Sequence, residues 1–237
     1  MRLGLNIDHI ATLREVRKTD EPDLLQGAKI AQNLGVEQIT VHLRADRRHI
    51  QDQDLEILKA NLKIPLNVEM STRKEMREIA AKIRPSKVTL VPERKSEVTT
   101  EGGLDVIKSH SAIERFQKAM RDCDVDMAIF VDPNINQIQV CHRLGIPEIE
   151  INTAAYADSP NPSLASDALI RIRNCAELAH ELGIRVAAGH GLTTKNIGPI
   201  LDIKVIEELN IGHHIIADSV FTGLEQKLRE VLQLLGR

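Results

Sequence analysis

The chain has 237 residues, of which 42% are hydrophobic, and its formal net charge is -3. This length can bury a large core, while the slightly acidic balance and the lack of Trp argue against a general nucleic-acid binder, which needs basic surplus and stacking side chains. Neither a leader-like amino terminus nor a long uncharged apolar run occurs, so we expect a cytoplasmic protein without a membrane segment. Widely spaced Cys123, Cys141 and Cys175 predict core thiols rather than a disulfide or zinc framework.

Short apolar runs rich in β-branched residues recur along the chain. In order they cover residues 3–8, 38–43, 66–70, 87–92, 127–132, 148–152, 185–190 and 208–213. The clearer stretches with helical spacing lie between them, at 23–35, 54–62, 72–83, 135–145, 164–183 and 220–235.

Repeated strand-then-helix units require parallel strands joined by crossover helices. Eight such units over this length predict an α/β fold, a closed (β/α)8 TIM barrel formed as a single domain over residues 1–237 with extra helices. An open dinucleotide-binding sheet is disfavoured because no G-x-G-x-x-G follows the first run. Two longer connections, 93–105 and 153–166, predict lids or binding loops.

Polar residues collect at the carboxyl ends of the predicted strands, where a barrel places its active site. They are Asn6, Asp8, His42, Glu69, Asp132, Glu150, His190, Gly212 and His213. Any single buried His or Glu is equally well explained as a paired core residue. A whole set converging on one mouth is costly to bury without a function, so we predict a catalytic site there.

Two glycine-containing segments indicate a phosphate ligand. AGHGLT (188–193) lets backbone N–H groups approach a ligand closely, and NIGHHIIADSVFTG (210–223) places a glycine ahead of a short helix. Loops after strands seven and eight form the usual phosphate site of this fold, which favours a sugar-like or ketone phosphate. The alternative is that these glycines merely turn the chain.

The ionisable residues indicate proton transfer on a carbonyl compound. No lysine ends a strand, since Lys87 begins its run, which disfavours a Schiff-base aldolase. Imidazoles and carboxylates can act as acids and bases near neutrality. A metal site built from Asp8, His42, Asp132 and His190, as in metal-dependent phosphosugar epimerases, is the alternative.

The segment VHLRADRRHI (41–50) combines a predicted strand end with an arginine-rich loop. Its period-two alternation places Val41 and Leu43 on one face and His42 on the other, where the imidazole can point into the barrel mouth. The intervening charges, Asp46, Arg47 and Arg48, are equally compatible with a solvated, salt-bridged turn.

Matching segments run almost end to end: NIDHIATLREVR (6–17), ITVHLRADRRHI (39–50), LNVEM (66–70), VPERKSEVTTEGGLDV (91–106), AGHGLT (188–193) and ELNIGHHII (208–216). In content, order and spacing they resemble the pyridoxine 5'-phosphate synthase family, barrel enzymes that close the pyridine ring in one route to vitamin B6. The resemblance implies condensation of 1-deoxy-D-xylulose 5-phosphate with 3-amino-2-oxopropyl phosphate, with release of phosphate and water. It further implies no metal or organic cofactor, and a homo-octamer assembled from dimers.

The resemblance also assigns residue roles. His42 and Glu69 match the family's proton acceptors, His190 its proton donor, and Glu150 the residue that stabilises the transition state. Contacts to the deoxyxylulose phosphate match Asp8, His9, Arg44, His49 and Thr99. Contacts to the amino-ketone phosphate match Asn6, Arg17, Gly191, Gly212 and His213.

The chain departs from the family pattern after Glu150. The family commonly has His-Thr-Gly there, whereas this chain has Asn152, Thr153 and Ala154. An asparagine keeps hydrogen-bonding groups but cannot shuttle a proton, and alanine is less free than glycine at positive φ. The loop after strand six therefore differs from the family in detail.

Two other functions are compatible with the residues alone. One is a metal-dependent phosphosugar epimerase or aldolase, which a chelator would inactivate. The other is a non-catalytic barrel that senses a phosphometabolite, which would tolerate loss of His42 and Glu69 because neither is needed to hold an anion.

Overall fold

The computed structural model describes residues 1–93 and 102–237. Eight parallel strands close into a barrel in chain order, with β1 pairing with both β2 and β8. The strands are β1 (Arg2–Asn6), β2 (Gln38–His42), β3 (Leu66–Met70), β4 (Lys87–Leu90), β5 (Asp126–Val131), β6 (Glu148–Asn152), β7 (Arg185–Gly189) and β8 (Ile206–Ile211). The predicted (β/α)8 barrel is therefore confirmed.

Helices surround the barrel. They are α1 (Asp8–Arg17), α2 (Leu24–Asn33), α3 (Asp52–Asn61), α4 (Lys74–Ile83), α5 (Val106–Asp122), α6 (Ile135–Arg143), α7 (Ala154–Ala157), α8 (Pro162–Glu181), α9 (Gly198–Leu201), α10 (His213–Thr222) and α11 (Leu224–Leu234). Within the described ranges, no helix is long and apolar enough to span a bilayer. Cys141 and Cys175 are buried and Cys123 is half-buried, all as free thiols, which agrees with the expectation of core cysteines.

The helices differ from the predicted set at several places. α1 and α5 are absent from the predicted set, although Ile113, Phe116 and Met120 lie on the buried face of α5 at helical spacing. Gly223, at φ 81°, ends α10 and starts α11, so the predicted helix over 220–235 is two helices. The predicted loop over 153–166 contains α7 and the first turn of α8.

The strands alternate between two environments. Their outward side chains are apolar and pack beneath the helices, as Leu5, Ile39 and Val68 do. Their inward side chains are largely polar and buried, in contrast to the branched apolar layers common in this fold. This inward set comprises Gln38, Thr40, His42, Asn67, Lys87, Thr89, Glu148, Glu150, Asn152, Glu208 and Asn210. The barrel interior is therefore a hydrogen-bonded column that leads up to the mouth.

Candidate active site

Asp8 lies at the barrel mouth, where β1 gives way to α1. Its backbone N–H donates to Asn6 Oδ1 at 2.9 Å, and Asn6 Nδ2 donates back to Asp8 Oδ2 at 3.0 Å. Asp8 Oδ1 accepts the backbone N–H of His42 at 2.8 Å. Burial nevertheless raises the pKa of Asp8 to about 7, since these donors and Arg44 only partly offset desolvation. Asp8 thus links the ends of β1 and β2 and titrates near neutrality.

His42 and Glu69 lie side by side at the ends of β2 and β3. They are register partners in the parallel pair, and His42 Nδ1 is 3.8 Å from Glu69 Oε2. Burial, reinforced by His49 and Arg44, lowers the pKa of His42 to about 3, so its ring is neutral at pH 7. Burial, reinforced by the nearby Glu150 and Asp8 carboxyls, raises the pKa of Glu69 well above its usual value. The pair therefore offers a neutral imidazole and a carboxyl that favours its protonated form.

Asp8, His42 and Glu69 converge closely enough to bind one ion. Their ligand atoms lie within 4.8 Å of one another, the only such group among the residues described. The predicted metal set differs, because Asp132 is engaged elsewhere. Its Oδ1 accepts the Asn152 Nδ2–H at 2.9 Å and the Gly103 N–H at 2.8 Å.

Asn152 stands where the family commonly has a histidine, and its side chain makes hydrogen bonds that hold the loop. Besides donating to Asp132, its Oδ1 accepts the N–H of Ala154 at 3.0 Å, at the start of α7. The side chain fastens α7 to the ends of β5 and β6. The departure from the family pattern replaces a titratable ring with an amide that organises this loop.

Glu150 lies deeper, on the inward face of β6. Its Oε2 accepts a 2.7 Å hydrogen bond from Asn210 Nδ2 on β8. Burial raises its pKa to about 7, against the opposing effects of Lys87 and the Asn210 donor. Its titration is linked to that of Glu69, because the two carboxyls repel one another. The mouth therefore holds three carboxyls, Asp8, Glu69 and Glu150, whose pKa values are all raised, those of Asp8 and Glu150 to about 7.

His190 and Gly191 follow β7 in a constrained turn. Both have positive φ, 82° and 73° respectively. Non-glycine residues rarely adopt this conformation, and strained positions cluster at functional sites. Thr153 Oγ1 donates to the His190 carbonyl at 2.5 Å and holds the turn. Burial lowers the pKa of His190, while the Asp158 carboxylate opposes that effect.

The beginning of α10 meets the end of β1. Gly212 precedes the helix, and a Cβ there would lie 2.8 Å from the Asn6 Cβ, so the close approach requires glycine. The rings of His9 and His213 lie 4.8 Å apart, and His9 Nδ1 is buried without a hydrogen-bond partner among the described residues. The N–H groups at the start of α10 and two imidazoles thus lie in one region, an arrangement suited to an anion.

The loop after β2 provides a second region suited to an anion, and this one contains a buried guanidinium. Arg44 is only 2% exposed, with its Nε 3.7 Å from Asp46 Oδ1. His49 Nδ1 accepts the Ile50 N–H at 2.9 Å, which leaves the proton of the neutral ring on Nε2 as a donor. Burial, together with Arg44, lowers the pKa of His49 to about 4.

The charges between Arg44 and His49 form a salt-bridged turn. Arg47 binds Asp52 at 2.8 Å and Glu75 at 2.7 Å, and Arg48 binds Asp46 at 2.6 Å. Both arginines are partly exposed. The sequence left open whether these charges have a function or form a solvated, salt-bridged turn. For Asp46, Arg47 and Arg48 the structure shows the salt-bridged turn.

Arg17 lies apart from the other predicted contacts that the structure describes. Arg17 ends α1, nine residues or about 13 Å of helix from Asp8, and lines a cavity of about 880 Å³ among α1, α2 and α10. Thr99 lies outside the described residues. Sequence reasoning missed Asn210, Lys87 and Gln38, whose signal was the period-two run of polar residues in β2, β4 and β8.

A family model described as "Pyridoxal phosphate biosynthesis protein PdxJ" matches residues 3–237. The chain belongs to the PdxJ family. Relatives named "Pyridoxine 5'-phosphate synthase" include one from Sulfurihydrogenibium sp. (strain YO3AOP1), 49% identical over 238 residues, 99% of this chain and 98% of the relative. Another, from Aquifex pyrophilus, is 46% identical and covers 98% of this chain and 100% of its own.

Solved structures similar to this PdxJ-family chain share its barrel. A 3-keto-L-gulonate-6-phosphate decarboxylase from Vibrio cholerae has a TM-score of 0.67 at 13% identity, over 98% of this chain and 95% of its own. The tryptophan synthase A-subunit of Pyrococcus furiosus has a TM-score of 0.65 at 12% identity, over 98% and 97%. At such low identity these likenesses show the fold alone.

The titration of Asp8 gives a stability prediction for this PdxJ-family protein. Its pKa is 3.8 ordinarily and about 7 when folded, so the folded state binds the proton more tightly and loses stability as pH rises between those values. An asparagine has no carboxyl to titrate, so Asp8→Asn does not lose stability in this way. The quantity to follow is the unfolding free energy of Asp8→Asn minus that of the native chain. We expect this difference to increase by up to about 1.4 kcal/mol per pH unit from pH 4 to 7 and then to level off.

Urea titrations at each pH measure this difference. Asp202→Asn is the matched control, since Asp202 lies outside the mouth, exposed at the end of α9, and its substitution shows what loss of a surface carboxylate does to the same curves. A flat difference for Asp8→Asn would contradict the raised pKa.

Proposed function

We propose that this chain condenses 1-deoxy-D-xylulose 5-phosphate with 3-amino-2-oxopropyl phosphate to pyridoxine 5'-phosphate, phosphate and water, with residues 1–237 acting as one catalytic domain. The observation that carries the proposal is the convergence of Asp8, His42, Glu69 and Glu150 at one mouth, in a chain whose relatives are named pyridoxine 5'-phosphate synthase. Their shifted pKa values suit repeated proton transfer.

His42 and Glu69 would act as proton acceptors. His42 is neutral at pH 7 and its Nε2 is buried without a hydrogen-bond partner among the described residues, so the ring has a free position for a substrate proton. A phosphate dianion bound near Arg44 would offset the positive charge that contributes to lowering the His42 pKa, and so make the imidazole a stronger base. Glu69, once ionised, is a stronger base than an exposed carboxylate because its pKa is raised.

His190 would return the proton, and Glu150 would stabilise charge that develops in the transition state. The strained backbone at His190 fixes its position beside Gly191. Asp158 supports the charged form of the ring through its carboxylate. The acid and the bases come from different strands, which lets them address different atoms of a forming ring.

The two substrate phosphates would occupy the two regions suited to an anion. The region formed by Asn6, Gly191, Gly212 and His213 would take the amino-ketone phosphate, with backbone N–H groups as donors. Asp8, His9, Arg44, His49 and Thr99 would bind the deoxyxylulose phosphate, Arg44 through its bidentate guanidinium. The resemblance also assigns Arg17 to the amino-ketone phosphate.

Mixing the purified protein with both substrates tests the proposal through the absorbance of pyridoxine phosphate. Formation of that product supports it, and absence of product overturns it. Activity that survives a chelator excludes the metal-dependent epimerase or aldolase alternative, for which Asp8, His42 and Glu69 would be the ligands. Loss of activity with the chelator, and its return with added metal, would favour that alternative.

We propose further that the enzyme is a cytoplasmic homo-oligomer, an octamer by family resemblance. In support, α1 and α10 expose a run of apolar side chains: Leu13 (53%), Val16 (76%), Val220 (70%) and Phe221 (90%). Phe221→Asp should shift the sedimentation coefficient to that of a smaller species, because a charge in an apolar interface is costly. A monomeric native chain would contradict this proposal.

A further inference from the structure

The bond from Asn210 to Glu150 reaches over β7, from β8 to β6. Asn210 Nδ2 lies 2.7 Å from Glu150 Oε2, the short distance of a charge-assisted hydrogen bond, and both side chains are buried. An N–H donor aimed at a carboxylate stabilises its ionised form and fixes its orientation. Glu150 therefore depends on Asn210 for both its charge and its rotamer.

Gln38, at the start of β2, orients the Asn210 amide. A carboxylate can only accept, so the 3.0 Å contact between Gln38 and Glu208 Oε1 identifies the Gln38 atom as the Nε2 donor. The same Nε2 lies 3.5 Å from Asn210 Oδ1. With its oxygen facing Gln38, the Asn210 amide presents its Nδ2–H to Glu150.

Glu208 is itself held by a buried ion cluster. Lys87 Nζ donates to Glu148 Oε1 at 2.5 Å and to Glu208 Oε1 at 3.1 Å, and Arg185 binds Glu148 Oε2 at 3.0 Å. We call Lys87, Glu148 and Glu208 the Lys87 cluster. It begins a continuous chain of contacts that runs through Gln38 and Asn210 up to Glu150.

Two strand glycines provide the space for this pair. A Cβ at Gly4 of β1 would collide with Asn210 Oδ1, and a Cβ at Gly189 of β7 would collide with Glu150 Oε1. Neither glycine needs positive φ, since both lie in regular strands. Glycine inside a strand weakens it and often marks close approach of another group. The two strands that flank β8, β1 and β7, thus lack side chains where Asn210 and Glu150 meet.

We propose that Asn210 is a positioning residue, which holds the Glu150 carboxylate in its working orientation through an amide that Gln38 and the Lys87 cluster orient. The inference rests on the proposed function, in which Glu150 stabilises the transition state. The charged groups that act on Glu150 are Glu69 from β3, Lys87 from β4, Glu148 from β6 and Glu208 from β8. Asn210 is a neutral residue beside Glu150, and it donates a hydrogen bond to the Glu150 carboxylate.

Asn210→Leu removes the donor with little change in volume. We expect kcat to fall by about 10- to 100-fold with KM within about twofold, because a lost bond to a charged group acts on Glu150 and leaves the phosphate sites unchanged. The acid limb of the kcat/KM profile should move up by about one pH unit. The Glu150 side-chain ¹³C carboxyl titration, assigned by its absence in Glu150→Gln, should move by the same amount.

Asn67→Leu is the matched control. Asn67 is a fully buried amide in the same barrel interior, but its partners are Thr40 and Thr89 rather than Glu150. This variant should lose stability to a similar degree while leaving the Glu150 titration and the pH profile unchanged. If Asn210→Leu does not fold, the isosteric Asn210→Asp provides the test, because a second carboxyl beside Glu150 should raise its titration further.

An Asn210 variant with native Glu150 titration and native kcat overturns the proposal, as does an Asn67→Leu variant with the same shift. The carboxyl titration needs no turnover. If the native chain forms no pyridoxine phosphate, the proposed function fails, and the titration still decides whether Asn210 controls Glu150.

Discussion

Glu69→Gln is expected to lower kcat by about 10³-fold or more while affinity for a phosphate ligand changes by less than about twofold. The amide has nearly the same shape as the carboxyl but cannot take up a proton. Glu69 lies at the end of β3 beside His42 and is not among the residues proposed to bind phosphate. Its loss should therefore remove proton transfer and spare binding.

Single-turnover formation of pyridoxine phosphate measures the first effect, and calorimetric titration with inorganic phosphate measures the second. Glu78→Gln is the matched control, because Glu78 is an exposed residue of α4 that pairs with Lys74. It should leave both quantities unchanged. Glu69→Gln with more than about a tenth of native turnover would contradict the role of Glu69 as a base.

This substitution also separates the enzyme from a phosphometabolite sensor. A sensor needs only its anion sites, so Glu69→Gln would leave its binding of the phosphometabolite intact. The structure weighs against the sensor on physical grounds. Burial together with mutual repulsion of Glu69, Glu150 and Asp8 destabilises the folded chain, and proteins accept such destabilisation mainly where it serves chemistry.

The strand-end pattern predicted the mouth because a parallel barrel brings every carboxyl end of a strand to one side. His42 and Glu69 needed only their positions at or next to the ends of their runs to be placed together, whereas Glu150 is the middle residue of β6. Asp8 shows the limit of that reasoning. The first strand ends at Asn6, and Asp8 begins a helix because the Asn6 side chain accepts its N–H, which is a local bond that the apolar pattern does not show.

The side-chain pairings in the lower half of the barrel could not be predicted from the sequence of each strand alone. Lys87 meets Glu148 and Glu208 across the barrel at sequence separations of 61 and 121. Such pairings depend on the register of each strand around the closed barrel, and a shift of one residue would turn every side chain to the other face. Likewise, the position of Arg17 depends on where α1 ends, which its weakly apolar sequence leaves open.

Lys87→Met is expected to lower the unfolding free energy by about 3–5 kcal/mol at pH 7. Lys87 is 7% exposed and binds two glutamates that are 4% and 3% exposed. Removing the ammonium leaves two carboxylates buried in one place with Arg185 and Arg2, both about half-exposed, as the remaining nearby cations. Urea unfolding curves at constant m-value measure the loss. Lys82→Met, which breaks the exposed pair with Glu56, should leave the unfolding free energy nearly unchanged.

The pH dependence of that loss identifies its cause. Burial opposes ionisation of Glu148, but Lys87 and Arg185 outweigh it and hold its pKa below the ordinary value of 4.5, so the native chain is stabilised above pH 4.5 and loses that contribution as pH falls. Without Lys87, burial dominates and the Glu148 pKa rises above 4.5. The variant then gains stability as it takes up protons, so its deficit relative to the native chain should be largest at pH 7 and shrink below about pH 5. A deficit independent of pH would show that Lys87 contributes packing rather than charge.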